Sequence, residues 1–221
     1  MARMVSRLGA ICILAAGLSR ADLLLSIADS APGNHGSVVA GKPTAGTAEW
    51  LSQRFTLTDS FTDMSFTLIA DLQGVSGTVY LTDKIGVGTT AADVIASVAF
   101  DSPNSGVGPL TLLTGVSLGP GTYHFLVAPS SGEGFWATAD PKNVTTAAGV
   151  TFVGYEFATN RNPGTLDFTL PPDSTFYPEL TDPTGHWFEI DGVPATVPEP
   201  ASIVLLLACL SSLLPRWRRP L

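Results

Sequence analysis

Cysteine is scarce and poorly placed for a disulfide: the 221-residue chain has two, Cys12 and Cys209, one near each end and none between them. No thiol chemistry, disulfide framework or cysteine metal site can belong to the central region, which must hold itself together by its core. Histidine is almost as rare. His35, His124 and His186 lie in unrelated contexts, so no short-spaced pair stands ready for zinc and no Ser–His–acid arrangement is marked. The glycine-containing stretch 83–90 has Lys84 ahead of its glycines, which is not the spacing of a phosphate loop. No catalytic residue, metal or cofactor is therefore expected, and the chain reads as a non-enzyme.

Positive charge is the next shortage. The chain carries 11 Lys and Arg against 19 Asp and Glu, a net charge of −8. Six of the basic residues fall in the two end segments, leaving five against eighteen acids between residues 22 and 197, a balance of −13. Such a surface repels nucleic acid and anionic lipid and suits a soluble secreted protein, with attraction of cations as a secondary reading.

Long apolar runs occur only at the ends. Arg3 and Arg7 precede a run from 8 to 18, and Ser19 and Ala21 supply small residues at the −3 and −1 positions. That pattern is a secretory signal peptide over 1–21, with Asp22 as the new N-terminus after cleavage. At the other end, Pro198 and Pro200 flank Glu199. Neither proline has an N–H, so the chain there stands as an extended ribbon that a protease can grip. An uncharged, Leu-rich run over 201–214 follows, then Arg216, Arg218 and Arg219. As a helix that run is roughly 21 Å long, short of the ~30 Å hydrocarbon core, and the arginines fix its cytoplasmic end.

Pro-Glu-Pro, a short transmembrane helix and a basic end, in that order, resemble the PEP-CTERM sorting signal of Gram-negative bacteria, here over 198–221. The resemblance implies recognition by an exosortase-type membrane protease, cleavage near the motif, transient membrane anchoring and delivery across the inner membrane to the cell surface, outer envelope or extracellular matrix. A simple single-pass tail anchor is the alternative. Pro215 and Trp217 interrupt the basic cluster.

Between the two export segments, residues 22–197 alternate apolar and polar positions in short stretches. Leu51, Gln53, Phe55 and Leu57 share one parity, as do Met64, Phe66, Leu68, Ala70 and Leu72, and Val94, Ala96, Val98 and Phe100. Period two puts one face on a core and one toward water. The stretch 74–77 reads as a hairpin turn into Thr78–Leu81. Leu110, Leu112, Val116 and Leu118 share a parity that Thr114 and Gly115 interrupt, the mark of a bulge or a strand end. Tyr123, Phe125 and Val127 point inward, which leaves His124 and Leu126 on the other face. Phe135 and Trp136 fit either a short strand or an aromatic loop. Asn143, Val144 and Thr145 spell a glycosylation sequon, whose use the resemblance to a bacterial sorting signal argues against.

About ten short β segments separated by Gly, Pro, Asp and Ser turns, with no amphipathic helix, predict a single all-β antiparallel domain of β-sandwich or jelly-roll type. The residues around Gln53 to Phe55 and Leu118 to Tyr123 are also similar in texture to anchored β-sandwich ectodomains. The expected function is that of a non-enzymatic surface or matrix module. A carbohydrate-binding module is the alternative, with Trp50, Tyr80, Trp136 and Trp187 as stacking platforms for extracellular polysaccharide and core packing as the competing account of each. A glycan hydrolase with a carboxylate pair comes third.

Overall fold

The computed structural model describes residues 21–28, 36–41, 48–139, 143–160, 169–179 and 185–195. The leader, the loop with His35, the stretch 161–168 and the whole sorting segment with Pro198, Glu199, Pro200, Arg216, Arg218 and Arg219 lie outside them. Within the described residues the fold is all-β and antiparallel. The first strands are β1 (Asp22–Ala28), β2 (Gly36–Ala40), β3 (Ala48–Leu57), β4 (Phe61–Asp71), β5 (Ser76–Thr82), β6 (Val94–Asp101) and β7 (Gly108–Leu118). They are followed by β8 (Gly121–Ser131), β9 (Glu133–Ala139), β10 (Asn143–Thr146), β11 (Val150–Asn160), β12 (Tyr177–Glu179), β13 (Gly185–His186) and β14 (Phe188–Pro194).

Hydrogen bonding divides most of these strands into two layers. One runs β10-β1-β14-β4-β7, the other β12-β11-β3-β8-β5-β6. A seam joins them: β9 bonds to the end of β4 at Ala70↔Trp136, β2 lies along β9, and Ala40 of β2 reaches Glu49 of β3. The inward residues of both layers meet in one aromatic core. Phe66 of β4 stacks on Phe125 of β8 at 5.6 Å, Phe125 lies 4.9 Å from Phe188 of β14, and Phe55 of β3 sits 6.0 Å from Phe66. None of these ring pairs spans two hydrogen-bonded strands, as two facing sheets require.

The alternation explains which residues line that core. Met64, Phe66, Leu68 and Ala70 are buried on β4, while Ser65, Thr67 and Ile69 between them are half-buried. Tyr123, at the start of β8, donates its hydroxyl to the carbonyl of Gly119 at 2.9 Å. This resembles the tyrosine corner that pins the entry of a strand in Greek-key sandwiches. Burial, reinforced by the charge of Asp83, holds the phenol above the ordinary tyrosine range.

One local expectation is corrected and two open ones are decided. The turn at 74–77 is no hairpin, because β4 and β5 do not pair: β4 bonds to β14, β7 and β9, and β5 to β6 and β8. Leu72 and Val75 are both fully buried, so the chain crosses from one layer to the other over the core. Asn104 clamps the crossing, accepting from the N–H of Leu72 at 2.9 Å and donating to the carbonyl of Ala70 at 2.8 Å. On β7 the register against β4 shifts three times, and Gly115 takes φ 71°, so Leu113 is buried in the core while Leu112 packs partly buried against it. Phe135 and Trp136 belong to a strand, β9, with Trp136 inward and Phe135 outward.

The turn between β8 and β9 gives a direct test of the crossing. Gly132 has φ 78°, and a Cβ there would lie 2.2 Å from the carbonyl oxygen of Gly74. Both the backbone conformation and the contact exclude a side chain. Gly132→Ala is expected to cost about 3 kcal/mol, read as a lowered urea midpoint at unchanged m-value.

Candidate functional site

β8 departs from the half-buried pattern, since every residue from 123 to 129 is buried. Its inward face carries Tyr123, Phe125 and Val127. The opposite face carries His124, Leu126 and Ala128, and it is covered as well. The neighbours on that outer face follow from register. Thr82 of β5 and Arg54 of β3 flank His124; Tyr80 and Ser52 flank Leu126; Glu156 of β11 lies beyond Ser52.

These positions build a buried charged network. One carboxylate oxygen of Glu156 lies 3.0 Å from Nη1 of Arg54, and the other 2.8 Å from Nδ1 of His124. Glu156 and His124 are each over nine-tenths buried as side chains, and Arg54 about four-fifths. A carboxylate already paired to a guanidinium can only accept, so Nδ1 of His124 donates. A bulge on β11 places the acid: the register shifts between Phe152 and Gly154, so Gly154 faces Arg54 and Glu156 lands within reach.

A histidine oriented by a carboxylate is half of a nucleophilic triad. Among the described residues no serine or threonine hydroxyl hydrogen-bonds to His124 to supply the other half. The nearby hydroxyls of Ser52, Thr82 and Ser174 are buried without a partner. The letters Gly-x-Ser-x-Gly do occur at Gly115, Ser117 and Gly119, but Ser117 sits exposed within β7 rather than on a strand-to-helix elbow, in the other layer. Glu156 is the only acid that is more than nine-tenths buried among the described residues, and both its oxygens are engaged, so it offers no half of a hydrolase pair. The described residues also contain no group of three His, Cys, Asp or Glu that could hold a metal, and no helix long and apolar enough to cross a membrane.

The four expected stacking residues do not assemble on one exposed surface. Trp50 is fully buried on the outer face of β3, its Nε1 donating to the carbonyl of Pro129 at 3.0 Å, and Tyr80 packs partly buried against it. Trp136 is fully buried in the main core, edge-on to Phe125, with Nε1 donating to the carbonyl of Trp187 at 2.8 Å. Trp187 is half-buried between β13 and β14. Trp50 and Trp136 are thus packing residues, because each apolar ring sits inside a cluster and each N–H has found a carbonyl. A separate cleft of about 530 Å³ opens between Asp59, Phe61, Pro120 and Pro194, beside the end of β14.

Comparison with known proteins gives no kin. No family model, curated protein or solved structure matches the chain. The network of Arg54, His124 and Glu156 was missed by periodicity, which treats a polar residue on a strand as solvent-facing. One signal was present: Arg54 is a rare basic residue, standing in an alternating strand of a strongly acidic region.

Proposed function

We propose that the protein is an exported, non-enzymatic module of the cell surface or extracellular matrix, sorted through its C-terminal Pro-Glu-Pro segment by an exosortase-type protease. The observation that supports this reading is where the fold starts and stops. β1 begins at Asp22, the residue after the signal-peptide boundary, and β14 ends at Pro194, just ahead of Pro198. The two strands are neighbours, with Asp22 opposite Gly192. Both export segments can therefore be cut away without removing any of the described strands.

Intact mass spectrometry of the protein from a host with its exosortase tests the proposal. The expected mass lacks the leader and ends near Pro200. Replacing Pro198, Glu199 and Pro200 together by alanine is expected to restore the mass of a chain ending at Leu221. A wild-type protein that still ends at Leu221 in that host would instead be a single-pass tail-anchored protein.

A further inference from the structure

The outer face that carries Arg54, His124 and Glu156 also carries Trp50, Leu126 and Ala158, and a segment of chain packs over this apolar part. Residues 170–176 run over the outer side of β5, β8, β3 and β11 as a strap. Pro171 and Pro172 are buried in it, and Phe176 packs with Ile85 and Tyr80 on Trp50, Leu126 and Ala158. The strap's hydrogen bonds go to the loop after β5. Gly86 N–H donates to the carbonyl of Pro172 at 2.8 Å, and Gly88 N–H to the carboxylate of Asp173. Ser52 Oγ, Thr82 Oγ1 and Arg54 Nε on the floor, and Ser174 Oγ on the strap, are shut away from water with no partner. Ser52 and Thr82 are fully buried.

A hydroxyl sealed off without a hydrogen bond costs free energy, so this cover is held down by its apolar contacts and the two bonds to Gly86 and Gly88, against that cost. A ligand that supplied the missing partners would compete with it. The floor specifies what that ligand must be. Hydroxyls that both donate and accept, a guanidinium and an imidazole share the outer face of the sheet with Trp50 and Tyr80, a combination suited to polyhydroxylated rings. The acidic surface disfavours a polyanion. We infer that the outer face of β5, β8, β3 and β11 is a cryptic binding site for a neutral glycan chain, with the strap as its displaceable cover and Phe176 in the place of a sugar ring. This goes beyond display at the surface and does not depend on how the tail is processed.

The test uses the full chain with neutral hexasaccharides of α-glucan, β-glucan, mannan and galactan as probes, read by calorimetry and by amide hydrogen exchange. At least one probe is expected to bind, and the amides of Gly86 and Gly88 to lose protection as it saturates. Asp173→Ala, which releases the clip to Gly88, is expected to bind that probe at least five-fold more tightly. Thr82→Val removes a hydroxyl that has no partner in the closed form, so it should leave the melting temperature unchanged or higher while weakening binding at least five-fold. No binding to either the wild type or Asp173→Ala overturns the inference. Binding that leaves the Gly86 and Gly88 amides protected, or that is indifferent to Thr82→Val, overturns it equally.

Discussion

Replacing Phe125 by alanine is expected to lower the stability of the fold by about 4 kcal/mol and its melting temperature by about 10 °C. The ring belongs to β8 of one layer, yet it stacks on Phe66 and touches Phe188 of the other, and it meets the edge of Trp136 on the seam. Removing it takes away the buried area and also leaves a void between layers that no backbone hydrogen bond can draw together. Neighbouring aromatic rings are too stiff to collapse into such a space, which places the cost toward the upper part of the range for Phe→Ala. Phe135→Ala is the control. That ring, one strand position from Trp136, is 45% exposed, and its loss should move stability by no more than about 0.5 kcal/mol. Urea titrations of the two variants, followed by tryptophan fluorescence, check both values.

The second large effect is electrostatic. Glu156→Leu is expected to cost about 3 kcal/mol, because it strands the guanidinium of Arg54 and the Nδ1–H of His124 in a site from which water is largely shut out. Arg54 is about a fifth exposed and can turn partly toward solvent, which keeps the loss at the low end for a broken buried pair. If the cost comes from the orphaned charge rather than from lost packing, Arg54→Met in the same chain removes it. The double variant should recover roughly 2 kcal/mol of the loss, leaving only the unpaired imidazole N–H. A double-mutant cycle by chemical denaturation measures this coupling. A double variant as unstable as the single one would assign the effect to packing on β11.

How far the sequence foretells these features depends on the distance over which each is decided. Alternation along β3, β4 and β6 is set within each strand by which side chains can leave water, so Leu51 to Leu57 or Val94 to Phe100 can be read directly. The turn after Leu72 was misread because glycine and serine mark any reversal, and only the partners of β4 and β5 tell a hairpin from a crossing between layers. His124 and Leu126 were expected on an open face for a similar reason. The cover of Leu126 comes from Phe176, which is remote in sequence and which no pattern local to β8 announces. The tryptophans follow the same logic. Their type suits either a core or a sugar, and the carbonyls of Pro129 and Trp187, which decide the matter for Trp50 and Trp136, are remote in sequence from the rings they satisfy.

The position of the last strand also governs how the molecule bears load. β14 is hydrogen-bonded on both sides, to β1 and to β4, and leads at Pro194 into the segment that precedes Pro198. When the tail is fixed and drag acts on the far end of the sandwich, tension runs along the axis of β14, so its two hydrogen-bonded ladders are sheared together. Ladders loaded in parallel share the force, whereas a strand peeled from an edge breaks one bond at a time. A molecule held by its tail would thus use β14 as a mechanical clamp, and a pull between tail and far loops should meet far more resistance than a pull that peels β10 from its edge.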